Sequence, residues 1–369
     1  MGLERIVYLE KGKVLDDSGS DTIKLNINEP ISFLEFHWGA TNGATNNQAS
    51  HLHQCVSKIE LVDGADVIYS LPMVQMQALN FFERGRIPLM NLTEWAGDGA
   101  REACYMNFGR HPYDPELAFL PSRFANPQIK ITWDLATVNA VGATGFVSGT
   151  GRLSILAHVL PPATAPRGWL MAKEIYSFSS AASGDERVDL PLDYPYRLLT
   201  IRSLESGMDF RENISNLKLS LDQDKIILFD LETFRLQELN RDWFGPHQVG
   251  TKFDRAHGDT VVILTNELDG LMLMSDEAAA VPYTGYAWSS NFGLNLLDVA
   301  GGGAHSGDSE IRCTEWGYTF HNTVAWPFGN IQDIESWFRP DQYRSIRTIL
   351  TQANAGAAVS ICLQQFRRY

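Results

Sequence analysis

SLPMVQMQALN at residues 70–80 and DLETFRLQELN at residues 230–240 are two versions of one segment. Leu71/Leu231, Gln77/Gln237, Leu79/Leu239 and Asn80/Asn240 are identical, and Val74/Phe234 and Met76/Leu236 stay apolar. Each copy reads as a short helix. Ser70 and Asp230 are N-cap residue types, Pro72 stands in the first turn where its missing N–H does no harm, and an apolar stripe follows.

The match extends upstream. VSKIEL at 56–61 and ISNLKL at 214–219 both alternate apolar and polar residues, the period of a half-buried strand. Before them, IKLNINEP at 23–30 aligns with VDLPLDYP at 188–195, and Phe33-Leu34 with Leu198-Leu199. Near the end of each half, LSIL at 153–156 resembles VSIC at 359–362. Amphipathic strands resemble one another by chance, but a shared order with a smoothly drifting offset indicates duplication. The drift comes from a longer link after Phe36 than after Ile201, and insertions between repeats are expected in loops. The second copy carries the longer insertion after its helix.

The 369 residues suggest two domains, and 44% hydrophobic with 20% charged residues is the composition of a folded chain with a real core. No run approaches the roughly 18 apolar residues that span a bilayer. MGLERIVYLEKG at the start lacks the pattern of a signal peptide. A net charge of −14, from 44 acids against 30 bases, argues against a protein that coats nucleic acid. Only FRRY at 366–369 hints at a basic tail, and it reads as a solvated chain end. Cys55, Cys104, Cys313 and Cys362 form no CxxC pair, so reduced, partly buried thiols are expected, as in a chain made in a cytoplasm.

Strands are expected at 3–9, 22–27, 31–37, 56–62, 66–70, 128–133 and 152–160, with a surface loop at 39–50 and a hairpin turn at Asp63-Gly64. PPATAP at 161–166 reads as an extended, stiff spacer, which places a domain boundary at about residue 163. The second half opens with a strand at 173–178 and adds one at 260–264, loops at 278–290 and 300–308, a helix within 331–348 with Trp337, Tyr343 and Ile346 as buried candidates, and a closing strand at 358–366. Many short strands and few long helices argue against a doubly wound α/β fold. The expected class is all-β: two tandem eight-stranded antiparallel jelly rolls with short helices in the connections, residues 1–163 and 164–369, the second with longer loop insertions.

The paired strand–hairpin–helix units at 56–80 and 214–240, the paired strand starts at 21–36 and 186–201, and the Pro-rich hinge give a plan that resembles the double jelly-roll major capsid proteins of tailless icosahedral viruses, from internal-membrane bacteriophages to, more distantly, adenovirus. The resemblance covers nearly the whole chain and rests on architecture, with no diagnostic peptide. It implies a structural, non-enzymatic subunit made in the host cytoplasm and located in the virion. Three chains would form a pseudo-hexagonal homotrimer of six upright rolls. Partners would be the chain itself, neighbouring capsomers, penton and minor capsid proteins, and an internal membrane or the genome at the inner end, without sequence-specific nucleic-acid recognition. The loops of the second half would project outward as towers. The acidic balance is a mild departure if the inner face needs positive charge, which a small local basic patch could still supply.

No catalytic, cofactor-binding or metal residue is assigned from sequence. His51-Leu-His53 is the strongest metal signal, since alternate strand residues share a face. Jelly-roll metalloenzymes of the cupin type follow His-x-His with Glu after three or four residues; here the next acid is Glu60 and no second motif follows, so polar histidines beside a loop are expected. GPHQVGTK at 245–252 has Thr and Lys in the reverse of phosphate-loop order and reads as a turn. Asp230 and Glu232 stand two residues apart, but Asp230 is better used as a helix cap than as half of a glycosidase pair, and no Gly-x-Ser-x-Gly elbow occurs. Asn91-Leu-Thr93 and Asn213-Ile-Ser215 match the glycosylation sequon by chance. Trp169, Trp316, Trp326 and Trp337 could stack on sugars but in a two-layer sandwich are expected in the core. The competing functions are a carbohydrate-processing or carbohydrate-binding protein on tandem sandwiches, of the peptide N-glycosidase kind, and a viral spike or receptor-binding protein.

Overall fold

The computed structural model describes residues 3–43, 51–91, 97–137, 146–205, 208–255, 261–264, 270–275, 284–287, 293–296, 309–317 and 319–369. The first half contains β1 (Arg5–Val14), β2 (Ser18–Lys24), β3 (Ile31–Thr41), α1 (Leu52–Cys55), β4 (Lys58–Asp63), β5 (Asp66–Leu71), α2 (Met73–Arg84), β6 (Met90–Asn91), β7 (Gly99–Asn107), β8 (Pro127–Asp134) and β9 (Arg152–Val159). The second contains β10 (Gly168–Ser179), β11 (Gly184–Asp189), β12 (Tyr196–Leu204), α3 (Phe210–Asn213), β13 (Ile214–Leu221), β14 (Ile226–Glu232) and α4 (Thr233–Phe244). An insertion follows with β15 (His247–Arg255), β16 (Val261–Leu264), β17 (Gly270–Ser275), β18 (Thr284–Ala287), β19 (Gly293–Leu296) and β20 (Ser309–Gly317), and the chain ends with β21 (Thr323–Pro327), β22 (Ile346–Gln352) and β23 (Ala358–Arg368).

The two halves wind identically. In the first, β1-β9-β3-β7 faces β2-β8-β4-β5, with β6 added beside β7; in the second, β10-β23-β12-β21 faces β11-β22-β13-β14. Numbered within its own half and leaving β6 and the insertion aside, each sheet pair reads 1-8-3-6 against 2-7-4-5, the winding of a jelly roll. Local sequence explains the strands: in β8, Ile129, Ile131 and Trp133 point inward while Lys130 and Thr132 face solvent. At the β4–β5 hairpin Gly64 takes φ 60°, a left-handed conformation that glycine adopts without steric cost. The insertion forms two small sheets, β15-β20-β17-β18 and β16-β19.

The rolls join edge to edge. Ser70 on β5 pairs in parallel with Lys173 on β10, making one eight-stranded sheet that runs through both halves. Helix α2 is clamped at this junction, buried from Met73 to Phe82, and ends on Gly85 at φ 64°, whose N–H bonds Phe81 O. Each buried Met, Leu or Phe there contributes on the order of 1.5–3 kcal/mol. The junction also explains β23, which is buried continuously from Val359 to Phe366 where a half-exposed strand would alternate. Ile361 and Leu363 enter the second roll's core, while Cys362 and Gln364 face the first roll and bond Gln75 and Glu83 on α2. The first core accordingly takes in Trp169, Leu198 and Phe320 from the second half.

Local signals misplace several details. Ser70 and Asp230 are not helix caps: they lie in β5 and β14, where Ser70 Oγ donates to Glu60 and Asp230 accepts from Asn216, both cross-strand contacts. The N-cap positions are Pro72 and Glu232. The helix expected within 331–348 is replaced by two single 3₁₀ turns and the start of β22; Trp337 and Ile346 are buried and Tyr343 partly so. Residues 161–164 close a turn, Thr164 N donating to Pro161 O at 2.9 Å, where an extended spacer was expected. Residues 278–283, 288–290 and 300–308, within the two expected outer loops, lie outside the described residues.

Candidate functional site

The two copies of the 11-residue segment anchor their rolls by the same device. Asn80 Nδ2 donates to Tyr105 O at 2.6 Å while its Oδ1 accepts from Tyr105 N at 2.7 Å. Asn240 makes the same pair with Ala325, both at 2.7 Å. One turn earlier, the conserved glutamines both reach a buried carboxylate: Gln77 Nε2 lies 3.2 Å from Glu102 Oε2, and Gln237 Nε2 lies 2.8 Å from Asp209 Oδ1.

The surroundings of those carboxylates differ. Asp209 is the N-cap of α3, in a reciprocal capping box with Glu212, and pairs with Arg211 at 3.1 Å. Burial pushes its carboxyl above the ordinary range despite Gln237 and Arg211. In the first roll the acid arrives from β7. Glu102 is fully buried and reaches the first turn of α1, accepting Leu52 N at 2.8 Å and His53 N at 3.2 Å. His53 Nδ1 lies 2.8 Å from Oε2, and His51 Nδ1 lies 3.7 Å from Oε1. Burial by itself would raise the Glu102 carboxyl; the imidazoles of His53 and His51 outweigh it and hold the group well below its usual range.

The cluster reaches across the junction. The His51 and His53 rings stack at 4.7 Å, and the His321 ring, from the second half, lies 4.4 Å from His53. His321 Nε2 bonds Gln77 Oε1 at 2.9 Å, completing a chain His321–Gln77–Glu102–His53. His321 and Asn322 take φ of 56° and 50°, a left-handed turn that brings the chain from the insertion back into β21.

His51-x-His53 was legible as a pair, but on a helical turn and not on a strand, and its acid is Glu102 rather than Glu60. The donor atoms of His51, His53 and Glu102 all lie within 4.8 Å of one another. No spacing rule points to Glu102 or His321: the pairing of β3 with β7 brings in Glu102, and the docking of the second roll brings in His321.

No family model and no curated protein matches this chain. Solved structures do. The major capsid protein of Sulfolobus turreted icosahedral virus superposes with a TM-score of 0.61 at 9% identity, covering 98% of this chain and 96% of that one. The major capsid protein P2 of bacteriophage PM2 gives 0.54 at 13%, covering 99% and 98%, and the PBCV-1 virus capsid gives 0.59 at 8%, covering 99% and 93%.

The fold is the double jelly roll of viral major capsid proteins.

Within this double jelly roll the remaining sequence candidates stand apart. Glu232 occupies the N-cap position of α4 without a side-chain capping bond, while Asp230 faces Asn216, so the two do not converge on a cleft. Gly245 ends α4 at φ 86° and the following residues enter β15, with no helix N-terminus to cradle a phosphate. Trp169 and Trp337 are buried, and Trp316 and Trp326 partly buried. Cys55, Cys104 and Cys362 are buried thiols outside any disulfide. Among the described residues no helix is long and apolar enough to cross a membrane.

Proposed function

We propose that this protein is the structural, non-enzymatic major capsid subunit of an icosahedral virus, divided near residue 163 and assembling as a homotrimer whose six rolls approximate a hexagon. The edge-to-edge junction carries the reading. Within the chain, the fifth-strand edge of the first roll (β5) meets the first-strand edge of the second (β10). The equivalent edges at the other ends remain: β14 of the second roll and β1 of the first, which pair among the described residues only with β13 and β9. Both carry exposed apolar side chains, Ile226, Ile227 and Leu228 on β14, and Ile6, Tyr8 and Val14 on β1. Such edges are association sites unless covered.

The duplicated helices support the same reading. Val74 on α2 is covered at the internal junction, whereas its counterpart Phe234 on α4 is 41% exposed, as is Trp243. Joining β14 and α4 of one copy to β1 of the next would repeat the internal contact, and a head-to-tail interface of this kind closes into a ring of three chains. In that assembly the insertion between α4 and β21 is the outward tower. Neighbouring capsomers, penton and minor capsid proteins, and an internal membrane or genome beneath, are the remaining partners. Light scattering after size-exclusion chromatography tests the proposal: a mass near three times 41.2 kDa is expected, and a stable monomer at micromolar concentration refutes it.

A further inference from the structure

The geometry points to a buried divalent-cation site of zinc type, liganded by His51 Nδ1, His53 Nδ1 and the Glu102 carboxylate, that ties α1 to β7 beside the junction of the two rolls. Three observations carry it.

The first is charge. Glu102 is a wholly buried carboxylate, and among the described residues no lysine or arginine pairs with it. Desolvating a carboxylate is expensive, and here the compensation comes from the His51 and His53 imidazoles and from N–H donors of Leu52, His53 and Gln77, a donor set that a divalent cation would complete with full charge. The second is His51, itself buried, whose Nδ1 is shielded from solvent and has no hydrogen-bond partner among the described residues. A ring nitrogen of His51 lies within 4.8 Å of the other donor atoms, and its Nδ1 is 3.7 Å from Glu102 Oε1, too far for a hydrogen bond. Bonds of about 2.0–2.2 Å from one zinc ion set its ligand atoms about 3–4 Å apart. At Glu102 the His51 separation of 3.7 Å falls within that spacing, and the His53 separation of 2.8 Å, now a hydrogen bond, lies just below it. One ion would satisfy the orphaned imidazole nitrogen and neutralise the carboxylate together.

The third observation is the internal control that duplication provides. The second roll solves the same local problem without histidine: Asp209 caps α3, accepts from Gln237 and pairs with Arg211. The shared asparagine anchors set Glu102 level with Asn322, each three residues before the anchored strand position. An acid on this strand and two histidines on the short helix are therefore not needed to build a roll; they are additions to the first copy. Gln77 orients the carboxylate, and His321 in turn holds Gln77, so the site has an outer shell that fixes its ligands.

The test uses the full-length protein, purified without chelators and analysed by plasma mass spectrometry, then stripped with dipicolinate and titrated with Zn²⁺ by calorimetry. About one equivalent of zinc per chain is expected, with a melting temperature that falls on stripping and returns with zinc. His51→Gln, which keeps a polar side chain at the N-cap, should lose the metal while retaining the wild-type circular dichroism. Gln77→Leu should weaken zinc binding by about 10- to 100-fold. Absence of bound metal, with a melting temperature indifferent to both zinc and chelator, overturns the proposal, as does full zinc occupancy in His51→Gln. The wild-type titration decides the matter even where a variant fails to fold, and monomeric protein serves as well as trimer.

Discussion

Glu83 on α2 and Arg197 on β12 form an ion pair sealed between the two rolls, Nη1 to Oε1 at 3.4 Å, with side chains 3% and 1% exposed. Gln364 on β23 bridges them, accepting from Arg197 Nη1 and donating to Glu83 Oε1, both at 2.6 Å. Arg197 Nε also donates to Ile331 O at 2.9 Å. Removing one partner strands the other charge in the junction, so Arg197→Met should destabilise the fold by about 3–5 kcal/mol. Adding Glu83→Gln should restore part of that loss. Urea unfolding of the two single variants and the double variant measures the coupling; additive losses would show that the pair does not act as a unit.

The twin asparagines should respond unequally to the same substitution. Leucine at either position leaves a strand N–H and C=O without their partner. Ala325 is buried and Tyr105 is partly exposed, so water can serve the groups at Tyr105 but not at Ala325. Asn240→Leu is expected to cost about 2–4 kcal/mol and Asn80→Leu less, measured by thermal or urea unfolding.

Acid sensitivity should arise at Glu35 on β3. Hydrogen bonds from His158 at 3.0 Å and His37 at 2.8 Å outweigh burial and hold its carboxyl down at about 2, against an ordinary 4.5. A lowered folded-state pKa gives stability that is present above the unfolded value and lost as pH falls. The contribution, about 3 kcal/mol, should therefore fade between pH 4.5 and about 2. Glu35→Gln should flatten that part of the stability curve in melts recorded against pH; an unchanged slope would assign the acid transition to other carboxylates.

Assembly should fail separately from folding. Ile227→Lys on β14 and Ile6→Lys on β1 place a charge on exposed positions of the two outer edges. Each should turn trimers into monomers while changing unfolding free energy by about 0.5 kcal/mol or less. Retention of the wild-type mass by both variants in light scattering would show that these edges are not the subunit interface.

What could be read in advance, and what could not, divides along one physical line. Alternation in VSKIEL, ISNLKL and QIKITW reports which face of a strand is buried, because the pleat turns each residue to the opposite side of its neighbours. Recurrence of Leu71, Gln77, Leu79 and Asn80 as Leu231, Gln237, Leu239 and Asn240 reported that one unit was built twice. Capping was misread at Ser70 and Asp230 because both hydroxyl and carboxylate found cross-strand partners, Glu60 and Asn216, that local propensity does not contain. The helix expected within 331–348 failed for a related reason: Tyr196 and Phe338 exchange backbone hydrogen bonds, at 2.9 and 3.2 Å, holding that segment against β12.

By itself the sequence determined two jelly rolls in tandem, since duplication and period-two burial are local properties of the chain. Only the tertiary structure decided that α2 is buried to its last turn while α4 keeps Phe234 and Trp243 in solvent, because that depends on which edge of each roll meets another. It alone decided that His51 and His53 share Glu102 and stand against His321. Strand pairing and roll docking set those distances, and neither is encoded in the spacing of residues along the chain.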